Sequence, residues 1–304
     1  MRLARFATDN CARLGIVQDN RISALDNAIS LELILSRGNG LDTIAFSDRD
    51  AIPTSDVRLV APVVTHPRSL FATGWNYRDH FAEGAAARGK DVAEPTVPTF
   101  FLKAVTTIIG PEDDISIDAA ISEMFDYEAE LGVVIGRPGR NVKARDAMRH
   151  VFGYVIGNDV TARDVQKRHG GQWFKGKSLD ATCPIGPWIV TADEIPDPAA
   201  LTIECLVNGE ERQHASTSSM AFSIPRLIEE LSAGMTLLPG DILLTGTPEG
   251  VGNARQPPVY LRDGDVVTSR ISGIGEITNR VRQVGTKHEE AHDPAGSAVA
   301  PRGH

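Results

Sequence analysis

Cysteine is scarce in this chain of 304 residues: only Cys11, Cys183 and Cys205 occur, at unrelated spacings. An odd, scattered set builds neither a disulfide framework nor a zinc knuckle, and it suits a reducing compartment. Positive charge is also short, with 31 Lys and Arg against 40 Asp and Glu and a net charge of −9. That balance excludes the clustered cations that broad binding to nucleic acid or an anionic membrane requires. No stretch approaches the roughly 18 apolar residues of a spanning helix, and the opening MRLARFATDN lacks the apolar centre of a signal peptide. We therefore expect a soluble, cytoplasmic protein with no membrane partner. No Gly-x-Ser-x-Gly turn is present, which argues against a serine hydrolase elbow. Gly250-Val251-Gly252 and Gly273-Ile274-Gly275 open no helix, so neither reads as a phosphate or dinucleotide loop.

What is present is an ordinary globular composition, 41% hydrophobic and 23% charged. A chain of this length buries roughly three quarters of its unfolded surface and needs no staples. Residues 1–60 read as a small β-rich segment: MRLARFAT alternates, Asp9-Asn10 turns, Arg13–Gln18 alternates again, and Asp19-Asn20 turns into RISAL. A short helix capped by Ser30 and stopped by Gly38 follows. Pro53 and Pro62 mark a soft boundary before a main domain over residues 61–285, and the polar end, residues 286–304, reads as a disordered tail.

Across the main domain strands are expected at 70–73, 99–103, 125–135, 151–158, 187–191, 201–207, 211–215, 241–245, 265–271 and 276–284. Helices are expected at 77–88, 143–150, 163–169 and 224–232. Asn208-Gly209 is a two-residue hairpin signal. Strands outnumber helices without alternating with them, which excludes a doubly wound sheet or an eightfold barrel. The expected class is β-rich α+β, a mixed β-sandwich or roll.

The chemistry-bearing residues begin in FDYEAELGVVIG. A period of two puts Glu128 and Glu130 on one face and Tyr127, Ala129, Leu131 and Val133 on the other. The glutamate face continues as Gly132, Val134 and Gly136, which is not a solvated face. Two carboxylates about 7 Å apart on such a face repel unless a cation or a proton compensates. Asp159 follows the apolar strand VFGYVIG and precedes a helix that Thr161 could cap. Spacing alone also allows glutamates in water and a turn role for Asp159. If the three acids meet, an all-oxygen set selects Mg²⁺ or Mn²⁺, with Ca²⁺ possible if more ligands exist. His80 and Glu83 stand i,i+3 on a helix, so a carboxylate can orient the imidazole as a general base.

Five segments, in order, resemble the fumarylacetoacetate hydrolase family: GWNYRDHFAE (74–83), FDYEAELGVVIG (125–136), GNDVTARDVQ (157–166), QWFKGKSLDATCPIGP (172–187) and GDILLTGTPEGVG (240–252). The resemblance spans about residues 58–284. It implies that Glu128, Glu130 and Asp159 hold Mg²⁺ or Mn²⁺, and that His80 and Glu83 activate water. It further implies that Lys177 meets a substrate carboxylate or oxyanion, that Gln166 and Thr247 contact a small keto-acid substrate, and that the protein is a homodimer. Leu179 stands where the family often carries Phe, a conservative departure. Gly84 and Gly89 flank AAAR, a composition that suits a lid. Lys175 reads as solvated and Cys183 as packed rather than nucleophilic; His288 and His292, in the tail, are not expected to bind metal.

The implied activity is metal-dependent hydrolysis of a carbon–carbon bond in a 2,4-dioxo acid of acylpyruvate or fumarylpyruvate type, giving pyruvate and a carboxylic acid. The alternatives are a decarboxylase or isomerase of a 2-oxo or 2-hydroxydiene dicarboxylate from aromatic-compound degradation, and a non-catalytic metal- or ligand-binding homologue.

Overall fold

Alternating apolar patterning gives two sheets that face one another. The computed structural model describes residues 1–8, 11–36, 50–63, 70–88 and 93–285. The Asp9-Asn10 turn, Gly38, Gly89 and the tail at 286–304 with His288 and His292 lie outside the described residues.

The larger sheet runs in the order Ile52–Pro53, Arg21–Ala24, Ala12–Gln18, Arg2–Ala7, Cys183–Thr191, Val151–Asn158, Ala129–Ile135, Ile242–Leu244, Leu70–Gly74 and Thr99–Lys103. A second sheet orders Glu210–Ser216, Thr202–Val207, Val266–Ile271, Gly275–Gln283 and Ile115–Ile117. Leu131, Val133, Tyr154 and Ile156 meet Ile203, Cys205, Val267 and Ile277 between the two. On the other face of the large sheet, Val134, Val155, Ile189 and Leu244 pack with Leu3, Ile16, Leu31 and Ile34. With both faces covered, Val151–Asn158 is buried along its whole length, as its continuous apolar run requires. The β-rich expectation holds.

Asp19 and Asn20 adopt φ of +46° and +58°, and Asn208 and Gly209 +53° and +80°. These are the left-handed pairs that tight hairpins demand. Leu33 N–H donates to Ser30 Oγ at 3.2 Å, capping the helix Leu31–Ser36. The helix Ile224–Ser232 matches its expected bounds and buries Leu227, Ile228 and Leu231.

Four local readings change. The strand expected over 125–135 is two: Phe125–Asp126 pairs with Thr161–Ala162, and Ala129–Ile135 pairs with Val151–Asn158, so Tyr127-Glu128 forms a break. Thr161 is therefore a strand residue whose hydroxyl donates to Asp159 O at 2.8 Å, and the helix Arg163–Arg168 follows Ala162 instead. The helix expected at 143–150 is one α turn, Ala144–Ala147, followed by a 3₁₀ turn, Met148–His150. Phe174–Lys177, where no helix is expected, is a short helix. The strands of the N-terminal segment join the main sheet directly, through Arg2 opposite Val190 and Leu3 opposite Ile189.

Candidate active site

Antiparallel register assembles the acidic cluster. Ala129 pairs with Asn158, which places Glu128 beside Asp159 at the end of the two strands. Asp159 N–H donates to Glu128 O at 2.8 Å, and Glu128 N–H to Asn158 Oδ1 at 2.9 Å. Glu130 sits one pleat further on the same face. All three carboxylates are buried, and they offer oxygen atoms within 4.8 Å of one another.

Basic groups surround them. Lys177 Nζ lies 2.5 Å from Glu128 Oε2 and 2.6 Å from Asp159 Oδ2. Lys103, wholly buried, reaches Asp159 Oδ1 at 2.8 Å and donates to the Lys177 carbonyl. Arg163 Nη2 bridges Glu128 Oε1 and Asp126 Oδ2, both at 2.7 Å. Asp126 in turn accepts the backbone N–H groups of Tyr127, Gly252 and Asn253. The chain from those loop amides through Asp126 and Arg163 to Glu128 is a built support for one carboxylate.

Glu130 is placed differently. Its Oε2 accepts Gly246 N–H at 2.8 Å, and among the described residues it forms no ion pair. Gly246 has φ of +95°, and a Cβ there would lie 2.8 Å from Asn76 Cβ, so only glycine brings this amide so close. Burial favours the neutral form of Glu128, but Lys177 and Arg163 outweigh it and hold the carboxyl down at about 2. Burial and the nearby Asp159 and Glu128 charges push Glu130 well above the usual carboxylate range. For Lys177 burial disfavours the cation, yet Asp159 and Glu128 raise its pKa.

Four buried carboxyl groups (Asp126, Glu128, Glu130, Asp159) thus meet three buried cations (Lys103, Arg163, Lys177), and 4 − 3 leaves one carboxyl, Glu130, without a cation of its own. A hard divalent cation fits this set: the donors are all oxygen, converge within a few ångströms and carry the charge it would neutralise.

Across a small cavity stands His80, on the helix Arg78–Arg88, its Nδ1 2.8 Å from Glu83 Oε1. Gly250 N–H donates to the other Glu83 oxygen at 3.0 Å. An Nδ1–H donated to Glu83 leaves Nε2 as the base. Thr73, Gly74, Trp75, Phe101, Gln166, Trp173 and Thr247 complete the walls with Glu128, Glu130, Arg163 and Lys177. All eight residues expected at the site are thereby in one place: Gln166 is half-buried on the wall, and Asp159 contacts it through Lys177. Thr247 is on the wall as well, but its hydroxyl already donates to Ala129 O and accepts from Gln213. Lys175 is exposed, and burial pushes the Cys183 thiol up to about 12, as a packed cysteine requires.

Residues 69–282 match the family described as fumarylacetoacetate (FAA) hydrolase, C-terminal. The chain belongs to that family. Residues 1–62 match a second description, Rv2993c-like, N-terminal. Oxaloacetate tautomerase YisK of Bacillus subtilis is 47% identical over 227 residues, 75% of this chain and 74% of that protein. Fumarylacetoacetate hydrolase of Exiguobacterium antarcticum superposes with a TM-score of 0.81 at 42% identity, covering 93% of this chain and 100% of the other. Maleylpyruvate hydrolase of a Sphingobium species, solved with manganese(II) and pyruvate, gives 0.76 at 33% identity over 94% and 100%. These relatives are enzymes, one a tautomerase and two hydrolases.

Several residues of this site escaped the sequence reading. Lys103 ends the strand TFFLK, and only its position at the close of an apolar strand distinguishes it from a solvated lysine. Arg163 and Asp126 flank the expected ligands within quoted segments, yet their pairing spans 37 positions. Trp75 adopts φ of +54°, a backbone conformation costly for a bulky residue and one that no sequence rule foretells.

Proposed function

We propose that this protein is a divalent-metal-dependent enzyme that moves a proton on a short 2-oxo acid, with keto–enol tautomerisation of oxaloacetate as the leading activity. The observation that carries this reading is the placement of His80, held by Glu83, on the same cavity as the buried Glu128 and Glu130, with Asp159 clustered behind them. The name of the Bacillus subtilis relative supports the choice of reaction and substrate.

Glu128, Glu130 and Asp159 are the residues that would hold the ion, which supplies Lewis acidity to the 2-oxo oxygen and stabilises negative charge developing there. His80 Nε2 takes the proton from C3, Glu83 steadies the imidazolium that results, and the imidazolium, directly or through water, gives a proton to the enolate oxygen to complete the enol; ketonisation runs the same steps in reverse. Lys177, between the acids and the Phe101 ring at 5.0 Å, offers a cation to the substrate carboxylate. Gln166 lines the same cavity from the helix Arg163–Arg168 and would contact the substrate there. Thr247, with both sides of its hydroxyl engaged, holds the turn that brings Gly246 N–H to Glu130. The ion is Mg²⁺ or Mn²⁺ in this reading, and the working form is a homodimer in the cytoplasm.

A second reading is the carbon–carbon hydrolase expected from the sequence. The His80–Glu83 pair favours it, because the same base can take a proton from water that attacks a distal carbonyl. The manganese- and pyruvate-bound maleylpyruvate hydrolase supports it too. Turnover of oxaloacetate, acetylpyruvate and fumarylpyruvate, with Mg²⁺ or Mn²⁺ against EDTA and products resolved by NMR, separates the two. Metal-dependent enol–keto conversion of oxaloacetate without cleavage is the expected result. Release of pyruvate and a free acid from the acylpyruvates, with oxaloacetate untouched, replaces it with the hydrolase.

A further inference from the structure

The cavity joining His80 to the carboxylates measures about 30 Å³. One water needs about 10–15 Å³ of such space, so two waters fill it, and a four-carbon dicarboxylate enters only when a wall moves. Most walls are fixed. Glu128, Glu130, Arg163 and Lys177 are buried, and His80 is tied to Glu83. Thr247 is bonded on both sides of its hydroxyl, and Thr73, Gly74 and Phe101 belong to paired strands.

Trp173 is different. Its half-buried ring presses on the backbone of Gly74, so close that a Cβ there would be 2.1 Å from Cζ3. It meets Trp75 and Phe101 edge-on, with centroids 5.0 and 5.4 Å away. The chain reaches it through Gly170 and Gly171, at φ of +60° and +81° with open space around both. Gln172 and Phe174 on either side are exposed, Phe174 at 48%. Its backbone is held at the start of the helix Phe174–Lys177, where Trp173 O accepts Lys177 N–H at 3.1 Å, but its indole takes part in no ion pair and is held by ring contacts.

We propose that Trp173 is the specificity-determining wall of the site: its indole occupies the space the distal end of the substrate takes, and the swing of that side chain away from Gly74 sets how much bulk a 2-oxo acid carries at C3. The inference rests on the 2-oxo acid reading above. An indole that yields only part-way admits a carboxylate at C3 and resists an aromatic ring there. Gly74 belongs to the same device, since any side chain at that position expels the ring from its seat.

The test compares wild type, Trp173→Ala, Trp173→Phe and Gly74→Ala as Mn²⁺-loaded proteins. Tautomerisation of oxaloacetate and of phenylpyruvate is followed for each, with oxalate binding measured by calorimetry. Trp173→Ala and Gly74→Ala should both raise the phenylpyruvate-to-oxaloacetate ratio of kcat/KM by about tenfold or more, the scale of pocket-size discrimination. Oxalate, small enough to need little room, should bind all four proteins alike, and Trp173→Phe should stay near the wild-type ratio. A wild-type ratio in either Trp173→Ala or Gly74→Ala, with oxaloacetate turnover and oxalate binding intact, overturns the role of Trp173 alone. Wild type that neither binds oxalate nor acts on oxaloacetate overturns the 2-oxo acid reading and this inference with it.

Discussion

At the scale of single residues, Glu130, the one carboxyl of the cluster without a cation partner, decides how the site behaves in the absence of a bound cation. A carboxyl whose pKa is raised by folding adds stability below its unfolded value and forfeits it as pH rises through the folded value. The chelated protein should therefore lose stability as pH climbs from about 4.5 through the raised value, and Glu130→Gln should melt higher than wild type at pH 8 in EDTA. The same substitution should weaken Mn²⁺ binding by roughly 10²-fold, as loss of one of three ligands demands; melting curves and calorimetry check both halves. Because Glu130 must give up its proton, calorimetry in buffers of differing ionisation enthalpy should also register proton release on Mn²⁺ binding. His80→Ala should lower kcat by about 10²–10⁴ while leaving Mn²⁺ affinity and melting temperature near wild type. Glu83→Gln should cost less, since it orients the base without replacing it. Glu128, Glu130, Asp159, His80, Glu83 and Lys177 were legible because strand and helix periods place them and a family pattern repeats them. Lys103 and Arg163 were not: each gains its meaning from a partner 37 or more positions away, which no local period encodes.

At the scale of elements, two short helices position the cation that faces the acids. Gly176 lets Phe174–Lys177 lie directly on Arg163–Arg168, since a Cβ there would be 2.4 Å from Gln166 N and 2.5 Å from its Cα. Gly176→Ala should push Lys177 out of reach of Glu128 and Asp159. We expect kcat/KM to fall at least about tenfold and stability to drop by about 1–3 kcal/mol, read by turnover and urea melts, with the far-ultraviolet spectrum unchanged. Strands were easily read from alternation, and Thr99–Lys103 and Val151–Asn158 carry the expected bounds. The helix Phe174–Lys177 was hidden because four residues with an internal glycine have no helical period, and tertiary contact alone holds them. The break at Tyr127-Glu128 was hidden for a related reason. Alternation persists through it, while the hydrogen-bond partner changes from Thr161–Ala162 to Val151–Asn158.

At the scale of the whole molecule, the N-terminal segment continues the sheet that carries the strand of Glu130. Arg2–Ala7 pairs with Cys183–Thr191, which pairs with Val151–Asn158, the strand leading to Asp159. Leu31, Ile34 and Leu35 of the helix Leu31–Ser36 also cover the outer face of the large sheet beside Val155 and Ile189. Removing residues 1–62 should expose that face and a strand edge, giving an aggregating or unfolded product rather than an active domain; size exclusion and turnover of the truncated chain check this. Among the described residues no helix is long and apolar enough to cross a membrane. The layered architecture was legible from strand count and the scarcity of helices. The sharing of one sheet by the segment and the main domain was not, because a composition shift at Pro53 and Pro62 marks a connection without saying where its ends pair.

The central claim is that His80 moves a proton at C3 of a 2-oxo acid held beside Glu128, Glu130 and Asp159. Its most direct test is exchange of the C3 hydrogens of oxaloacetate for deuterium, followed by proton NMR in D₂O with Mg²⁺-loaded protein. The account expects exchange well above the protein-free rate, abolished by EDTA and cut about 10²-fold or more by His80→Ala. Exchange at the protein-free rate in the metal-loaded wild type, or exchange that His80→Ala leaves intact, would contradict it.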